Sequence, residues 1–226
     1  MLEVHYLCSF ENNEDTYVLR CGKNVSQYFS KYNFWVDSLS LSGIESLKIV
    51  INDNRERLNG AFYGNKPLPY CPGHREYLYR NLENGIISIY TDIRSGKYRV
   101  NDSIPVFNWV VYEDSIASLL GYTCVLAKTY FRGREWSVWF TYDIPISIGP
   151  WKFGGLPGII LKADCTGFVI LEAKRILTNN LSPIRFYNFS NRKKYKDLDR
   201  HTYLKLKMDS TPYPKGTVMS PQLELE

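Results

Sequence analysis

No other part of the sequence restricts the backbone as strongly as the segment GPWKFGGLPGII, residues 149–160. Its prolines fix φ and cannot donate hydrogen bonds to a sheet, while its glycines permit tight or left-handed turns. We therefore predict a rigid loop, anchored by Trp151, Phe153 and Leu156, that leaves a sheet near Pro145 and re-enters it directly. The residues assigned to this structural motif are Gly149, Pro150, Gly154, Gly155, Leu156, Pro157 and Gly158.

The rest of the chain alternates apolar and polar residues in short runs, separated by turn residues about every ten positions. This pattern predicts a mainly β fold: a single domain with a long curved antiparallel sheet, as a meander, half-barrel or open barrel. A half-barrel of the LolA type is one form of such a sheet, by fold analogy alone. The predicted strands are 3–10, 76–81, 86–93, 97–101, 106–112, 122–131, 134–142, 158–164 and 167–176, with 16–22 pairing back on the first.

Residues 24–60 carry the helical periodicity of the chain, which predicts one or two short helices there. In the first, Asn24 is the expected N-cap, and the apolar face would hold Val25, Tyr28, Phe29 and Tyr32. The second begins near Ser42 and ends near Gly60, with an apolar stripe of Ile44, Leu47, Ile51 and Leu58. Without a convincing linker, we predict one β-rich domain over residues 1–207 and an extended C-terminal tail over 208–226.

Composition and charge exclude several classes of protein. The net charge of +5 on 226 residues is mild and no nucleic-acid-binding motif occurs, so we expect no nucleic-acid partner. The chain lacks an apolar run long enough for a transmembrane segment, and it shows no signal peptide at its start. A cytoplasmic protein and a mature exported one both remain open. The wide spacing of the five cysteines favours buried apolar side chains, with one or two disulfides as the alternative for an exported protein.

Residues 121–160 carry a recognisable series of short motifs. In chain order they are Gly121-Tyr122-Thr123-Cys124, Ala127-Lys128, Phe131-Arg132-Gly133-Arg134, Trp139-Phe140-Thr141, Ile144-Pro145-Ile146, Gly149-Pro150-Trp151-Lys152-Phe153 and Gly155-Leu156-Pro157-Gly158-Ile159-Ile160. In these motifs the chain resembles the GLPGLI family, also called Porph_ging, of Bacteroidetes. Residues 19–30 resemble the early segment of that family. The resemblance implies an exported protein, in the periplasm, at the outer-membrane surface or secreted, with its signal peptide absent from this chain. It implies no activity, because the family is one of unknown function.

Candidate binding residues cluster around the same motifs. Arg132 and Arg134 could hold an anion or be surface charges at a hairpin tip. Trp139, Trp151 and Phe153 could line an apolar ligand site or belong to the core. Asp143 and Asp164 bracket the loop and could act as an acid and base pair, although carboxylates at strand ends usually cap turns. We assign no catalytic residue, and the dispersed His5, His74 and His201 lead us to expect no metal or cofactor.

Three functions remain open on this basis. The first is a non-catalytic exported binding module for an apolar small molecule, a lipid or an envelope protein. The second is a hydrolase with a site near residues 143–164. The third is a purely structural or interaction module, in which the Gly/Pro loop serves folding alone.

Overall fold

The computed structural model describes residues 1–68, 70–73, 75–94, 96–186, 194–209, 211 and 222–225. Within these ranges the chain forms twelve strands and three helices. The strands are β1 (Leu2–Phe10), β2 (Asn13–Cys21), β3 (Val25–Ser30), β4 (Glu76–Asn81), β5 (Ile86–Ile93), β6 (Gly96–Ser103), β7 (Val110–Leu119), β8 (Tyr122–Phe131), β9 (Arg134–Thr141), β10 (Ile159–Cys165), β11 (Val169–Leu177) and β12 (Lys196–Leu198). The helices are α1 (Lys31–Ser40), α2 (Ile44–Gly64) and α3 (Arg200–Met208).

All described strands belong to one open sheet, in the order β12-β6-β5-β4-β3-β2-β1-β11-β10-β9-β8-β7. Its neighbouring strands run antiparallel, apart from the short parallel pair of β12 with β6. The strands joined by tight turns are hydrogen-bonded neighbours, as in β1–β2, β5–β6 and β8–β9. The mainly β fold with a long antiparallel sheet is therefore confirmed.

The sheet curls strongly on itself. Eight strand steps separate β6 from β9 in the sheet order. In a flat sheet that would place them about 40 Å apart, because neighbouring strands lie about 4.8 Å apart. Yet Asp102 on β6 lies 2.6 Å from Arg132, in the turn that joins β8 to β9. The two halves of the sheet therefore face each other across a concave side.

The main hydrophobic core fills this concave side. It joins Ile89 and Val100 from one half of the sheet to Ala127 and Val138 from the other, and all four side chains are buried. A smaller apolar cluster of Val18, Phe29 and Tyr77 lies on the other face, where Phe34 of α1 covers it. Inward and outward residues alternate along most strands, which explains why their boundaries were readable from the sequence.

The helix predicted after Asn24 is wrong, because residues 25–30 form strand β3. Tyr28 points into the main core and Phe29 into the smaller cluster, so the strand is buried on both faces. Apolar residues on both faces hide the alternation of a strand and can imitate a helical stripe. Helix α1 begins only at Lys31, where the Ser30 hydroxyl accepts a hydrogen bond of 3.0 Å from the Asn33 amide.

Helix α2 confirms the second helical prediction but turns its apolar stripe outward. The stripe residues Ile44, Leu47, Ile51 and Leu58 are exposed, and Val50 is the buried residue of this helix. Two short elements, β12 and α3, had no clear sequence signal. A strand of three residues is too short for periodicity to show.

The predicted boundary between domain and tail stays a prediction. Residues 210, 212–221 and 226 of that tail lie outside the described residues. Leu223 and Glu224, which are described, are buried against the rest of the protein.

All five cysteines are free and buried, which confirms their interpretation as apolar core side chains. Among the described residues, no helix is long and apolar enough to cross a membrane.

Candidate functional site

The loop between β9 and β10, residues 142–158, folds back onto the sheet that it leaves. A one-residue bridge joins Ile148 to Gly154, and the amide of Gly149 donates a 3.0 Å hydrogen bond to the carbonyl of Phe153. The indole of Trp109 donates to the Gly154 carbonyl at 2.9 Å, which ties the loop to the chain before β7. The predicted compact loop is thus confirmed, and we call it the signature loop.

The signature loop fills much of the concave side with its own aromatic side chains. Trp151, Phe153 and Leu156 are buried, as predicted for its anchors. The ring of Phe153 lies 4.8 Å from that of Trp136 on β9. A wide apolar trough of the kind that holds a lipid chain is therefore occupied by the protein itself. This packing argues against a lipid carrier.

A smaller cavity remains beside the loop, with a volume of about 310 Å³. Its wall is mainly apolar and comes from four parts of the chain that are distant in sequence. These are the β2–β3 turn, β4, the segment before β7 and the signature loop. The residues that line it include Cys21, Arg80, Phe107, Ser147, Lys152 and Gly154.

Arg80 is the unusual residue of this cavity. Its side chain is only 3% exposed, although guanidinium groups are rarely buried without an acidic partner. Its Nη2 donates to the Phe153 carbonyl at 3.0 Å, while its Nε is buried with no hydrogen-bond partner. In the described part of the chain, no carboxylate pairs with it.

Burial lowers the pKa of Arg80 to about 10, because the protein interior disfavours the charged form. The group is still charged at neutral pH. A buried charge without a counter-ion is costly, and an anion that entered the cavity would relieve that cost. The apolar wall would meanwhile accept the apolar body of the same ligand.

Lys152 also lines the cavity, but unlike Arg80 it already forms ion pairs with carboxylates. Its ammonium lies 2.8 Å from Glu224 and 3.5 Å from Asp102. Arg132 and Arg200 bind the same two carboxylates, so three cations share two anions. This buried cluster joins the signature loop to β6, α3 and the C-terminal residues.

Cys21 completes the polar part of the wall and is not a nucleophile at neutral pH. Burial raises the pKa of its thiol to about 12, although nearby Arg80 opposes the shift. Cys21 is therefore a neutral thiol at pH 7 beside the Arg80 guanidinium.

Residues 127–162 match a family model described as "Protein of unknown function (Porph_ging)". This stretch runs from β8 through the signature loop into β10. The family description assigns no activity, so the resemblance inferred from the motifs is confirmed without adding a function.

Two solved structures of a protein named PNGF-II resemble this chain, each with a TM-score of 0.54. Sequence identity is 18% for one crystal form and 17% for the other. The likeness covers 91% of this chain but only 32% of the PNGF-II chain. This chain therefore spans about a third of the length of PNGF-II. At such identity the likeness shows the fold alone. No curated protein matches the chain.

The predicted anion-binding residues are engaged by the protein itself. Arg132 binds Asp102 and Glu224, and Arg134 donates to the Gln222 carbonyl at 3.0 and 2.8 Å. The guanidinium of Arg134 also lies 3.8 Å from the ring centre of Phe168. Neither residue lines the cavity, and neither is the solvated hairpin charge of the alternative interpretation.

The predicted aromatic residues do not line the cavity either. Trp151 and Phe153 belong to the core, and Trp139 is half-buried and packs against it. Of the signature-loop residues assigned a structural role, Gly154 and Gly155 form part of the cavity wall. Any binding role for these aromatic residues stays a prediction.

Asp143 and Asp164 do not come together. Asp164 lies on β10 opposite Ser137, whereas Asp143 follows the opposite end of β9 beyond Thr141. The four residue steps from 137 to 141 alone span about 13 Å, which exceeds the separation of a catalytic carboxylate pair. His74 lies outside the described residues, and those that are described contain no cluster able to hold a metal.

Sequence reasoning missed Arg80, although a signal was present. Glu76, Leu78 and Arg80 alternate with Tyr77 and Tyr79, so an inward Leu78 implies an inward Arg80. An arginine at an inward strand position without a nearby acid indicates a functional site.

Proposed function

We propose that this protein is a non-catalytic, exported binding module whose cavity takes a small amphipathic anion. The ligand has one carboxylate, sulfonate or phosphate group for Arg80 and a compact apolar body for the wall. The observation that carries the proposal is the buried guanidinium of Arg80, which lacks an acidic partner and faces the cavity. Export is supported by the resemblance to the Porph_ging family alone.

The size of the cavity narrows the class of ligand. A volume of about 310 Å³ lies at the small end of the range of about 300–1,000 Å³ for ligand sites. A medium-chain carboxylate or an aromatic acid suits this space, while a diacyl lipid does not. The Phe107 ring and the apolar wall around it would contact the body of such a ligand.

Calorimetric titration with octanoate and with octanol tests the proposal. We expect octanoate to bind at least about tenfold more tightly, a difference of about 1.4 kcal/mol that comes from the charged head group. Arg80→Met should abolish this preference, because the variant keeps an apolar side chain of similar length. Arg55→Met, at an exposed position of α2, removes a matched charge outside the cavity and should leave the preference unchanged.

Thermal unfolding of the same variant separates a binding role from a structural one. Arg80→Met removes a buried unpaired charge, and the Phe153 carbonyl keeps its hydrogen bond from Gly149. We therefore expect the melting temperature to stay the same or rise. A large drop, together with equal binding of octanoate and octanol by the unmodified protein, would refute the proposed function.

A further inference from the structure

A second concavity lies where β3 ends and the chain enters α1. Strand β2 pairs with β3 only over Tyr17–Cys21, so its first residues have no strand neighbour on that side. The space next to them has a volume of about 500 Å³. We call it the α1 groove, and its main lining residues are Asp15, Lys31, Tyr32, Trp35, Asp53 and Arg57.

Asp15 has a carboxylate oxygen in the α1 groove that is left unsatisfied by the described residues. It is only 4% exposed, and its Oδ2 has no hydrogen-bond partner among the described residues. Burial raises the pKa of its carboxyl to about 6, although hydrogen bonds from Ser30 and the Thr16 backbone oppose that shift. A buried carboxylate oxygen without a donor is costly, and a ligand hydroxyl would supply one.

The opposite wall of the α1 groove is aromatic and held in place. The rings of Tyr32 and Trp35 lie 5.7 Å apart and are inclined by 32°. The Tyr32 hydroxyl donates to Asp53 at 3.0 Å, and Arg57 pairs with that carboxylate at 2.7 Å. The Arg57 guanidinium also lies 4.6 Å from the Tyr32 ring centre. These contacts hold Tyr32 in place, and the half-buried Trp35 packs beside it in the wall of the groove.

The charges of the α1 groove select against a simple ion. Asp15, Asp53 and Glu14 would repel an anion, while Lys31 and Arg57 would repel a cation. Donors and acceptors of both kinds stand beside an apolar ring. This combination fits a neutral molecule with several hydroxyl groups and one apolar face, because each hydroxyl both donates and accepts.

We infer that the α1 groove is a second binding site, for a neutral polyhydroxylated ligand of the size of one or two sugar rings. One apolar ring face lies on Trp35, and a hydroxyl donates to the free oxygen of Asp15. This site is separate from the Arg80 cavity, since the two share no lining residue. The inference does not depend on the proposed function.

Saturation-transfer NMR and calorimetry with maltose, cellobiose and chitobiose test this inference. We expect at least one disaccharide to bind, and its affinity to hold at about 0.5 M NaCl, where surface charge interactions are screened. Asp15→Asn and Trp35→Ala should each weaken that affinity by about tenfold or more. Phe62→Ala changes an exposed aromatic residue of α2 outside the groove and should have no effect.

Asp15→Asn preserves the shape of the side chain, so its thermal unfolding curve shows whether lost affinity reflects the site or the fold. The inference is overturned if none of the three disaccharides binds. It is also overturned if the folded Asp15→Asn and Trp35→Ala variants bind as tightly as the unmodified protein. A site that instead prefers tetramethylammonium, with affinity lost at high salt, would contradict the neutral character of the ligand.

Discussion

Gly158→Ala is expected to destabilise the protein more than other substitutions in the signature loop, by more than about 3 kcal/mol. A Cβ atom at this position would lie 1.8 Å from the carbonyl oxygen of Thr141 and 3.3 Å from the Cα of Tyr142. Both are backbone atoms at the end of β9, so no side-chain rotation can remove the clash. The strand that the loop rejoins would have to move away from its neighbour. Differential scanning calorimetry should show a melting temperature lower by about 10 °C or more, or no folded protein.

Gly167→Ala provides the matched control. Gly167 has a φ of +73° in the β10–β11 turn, and nothing lies within 4 Å of an added Cβ. Alanine there is strained without a clash and should cost about 1 kcal/mol. Equal effects of the two substitutions would show that the close approach of the signature loop to β9 is not a source of stability.

Glu224→Gln is expected to have the second largest effect, a loss of about 3 kcal/mol at neutral pH. Glu224 accepts from Lys152 at 2.8 Å and also binds Arg132 and Arg200. Without its charge, the buried Lys152 and the partly buried Arg132 and Arg200 would share Asp102 alone. Breaking a buried ion pair from one side leaves a charge uncompensated, which costs more than the pair contributes. Urea unfolding at pH 7 measures the loss.

The stability lost in Glu224→Gln should depend on pH, because the pKa of the Glu224 carboxyl group is shifted in the folded protein. Burial raises the pKa of Glu224, but Lys152 and Arg132 lower it more, to about 2 from its ordinary value of 4.5. A lowered pKa in the folded state gives stability that is complete above pH 4.5 and is lost as the pH falls towards 2. The gap between Glu224→Gln and the unmodified protein should therefore narrow below pH 4.5.

Glu172→Gln supplies the comparison for a surface ion pair. Glu172 pairs with the half-exposed Lys174 on β11, so its loss should cost about 0.5 kcal/mol. One contradicting result is that Glu224→Gln lowers the free energy of unfolding no more than Glu172→Gln does, and another is that its loss of stability grows as the pH falls. Either result would show that the buried cluster does not hold the C-terminal residues to the signature loop.

Much of the sheet could be predicted from sequence because its strands alternate and its turns carry glycine. Strands β4, β5 and β8 have the predicted boundaries. Strand β3 failed because a strand buried on both faces lacks that alternation, as Tyr28 and Phe29 show. The signature loop was predicted correctly because proline and glycine act on the backbone locally.

The two candidate sites could not be predicted in the same way. Arg80 and Phe153 are 73 residues apart, and they meet only because the sheet curls. Local patterns carry no information about that curl. The same limit explains why Arg132 and Arg134 were candidates. Their charges are evident from the sequence, but their pairing with Glu224 and Gln222 becomes evident only in the folded chain.

The side-chain Nε–H signal of Arg80 gives the most direct test of the anion site. In ¹⁵N-labelled protein the signal is assigned by its absence from Arg80→Met, and it is followed by NMR during titration with octanoate. Because this Nε has no partner in the free protein, we predict a downfield shift that saturates with the affinity measured by calorimetry. An unmoved signal at saturating octanoate, or an equal shift with octanol, would contradict the assignment of the cavity as an anion site.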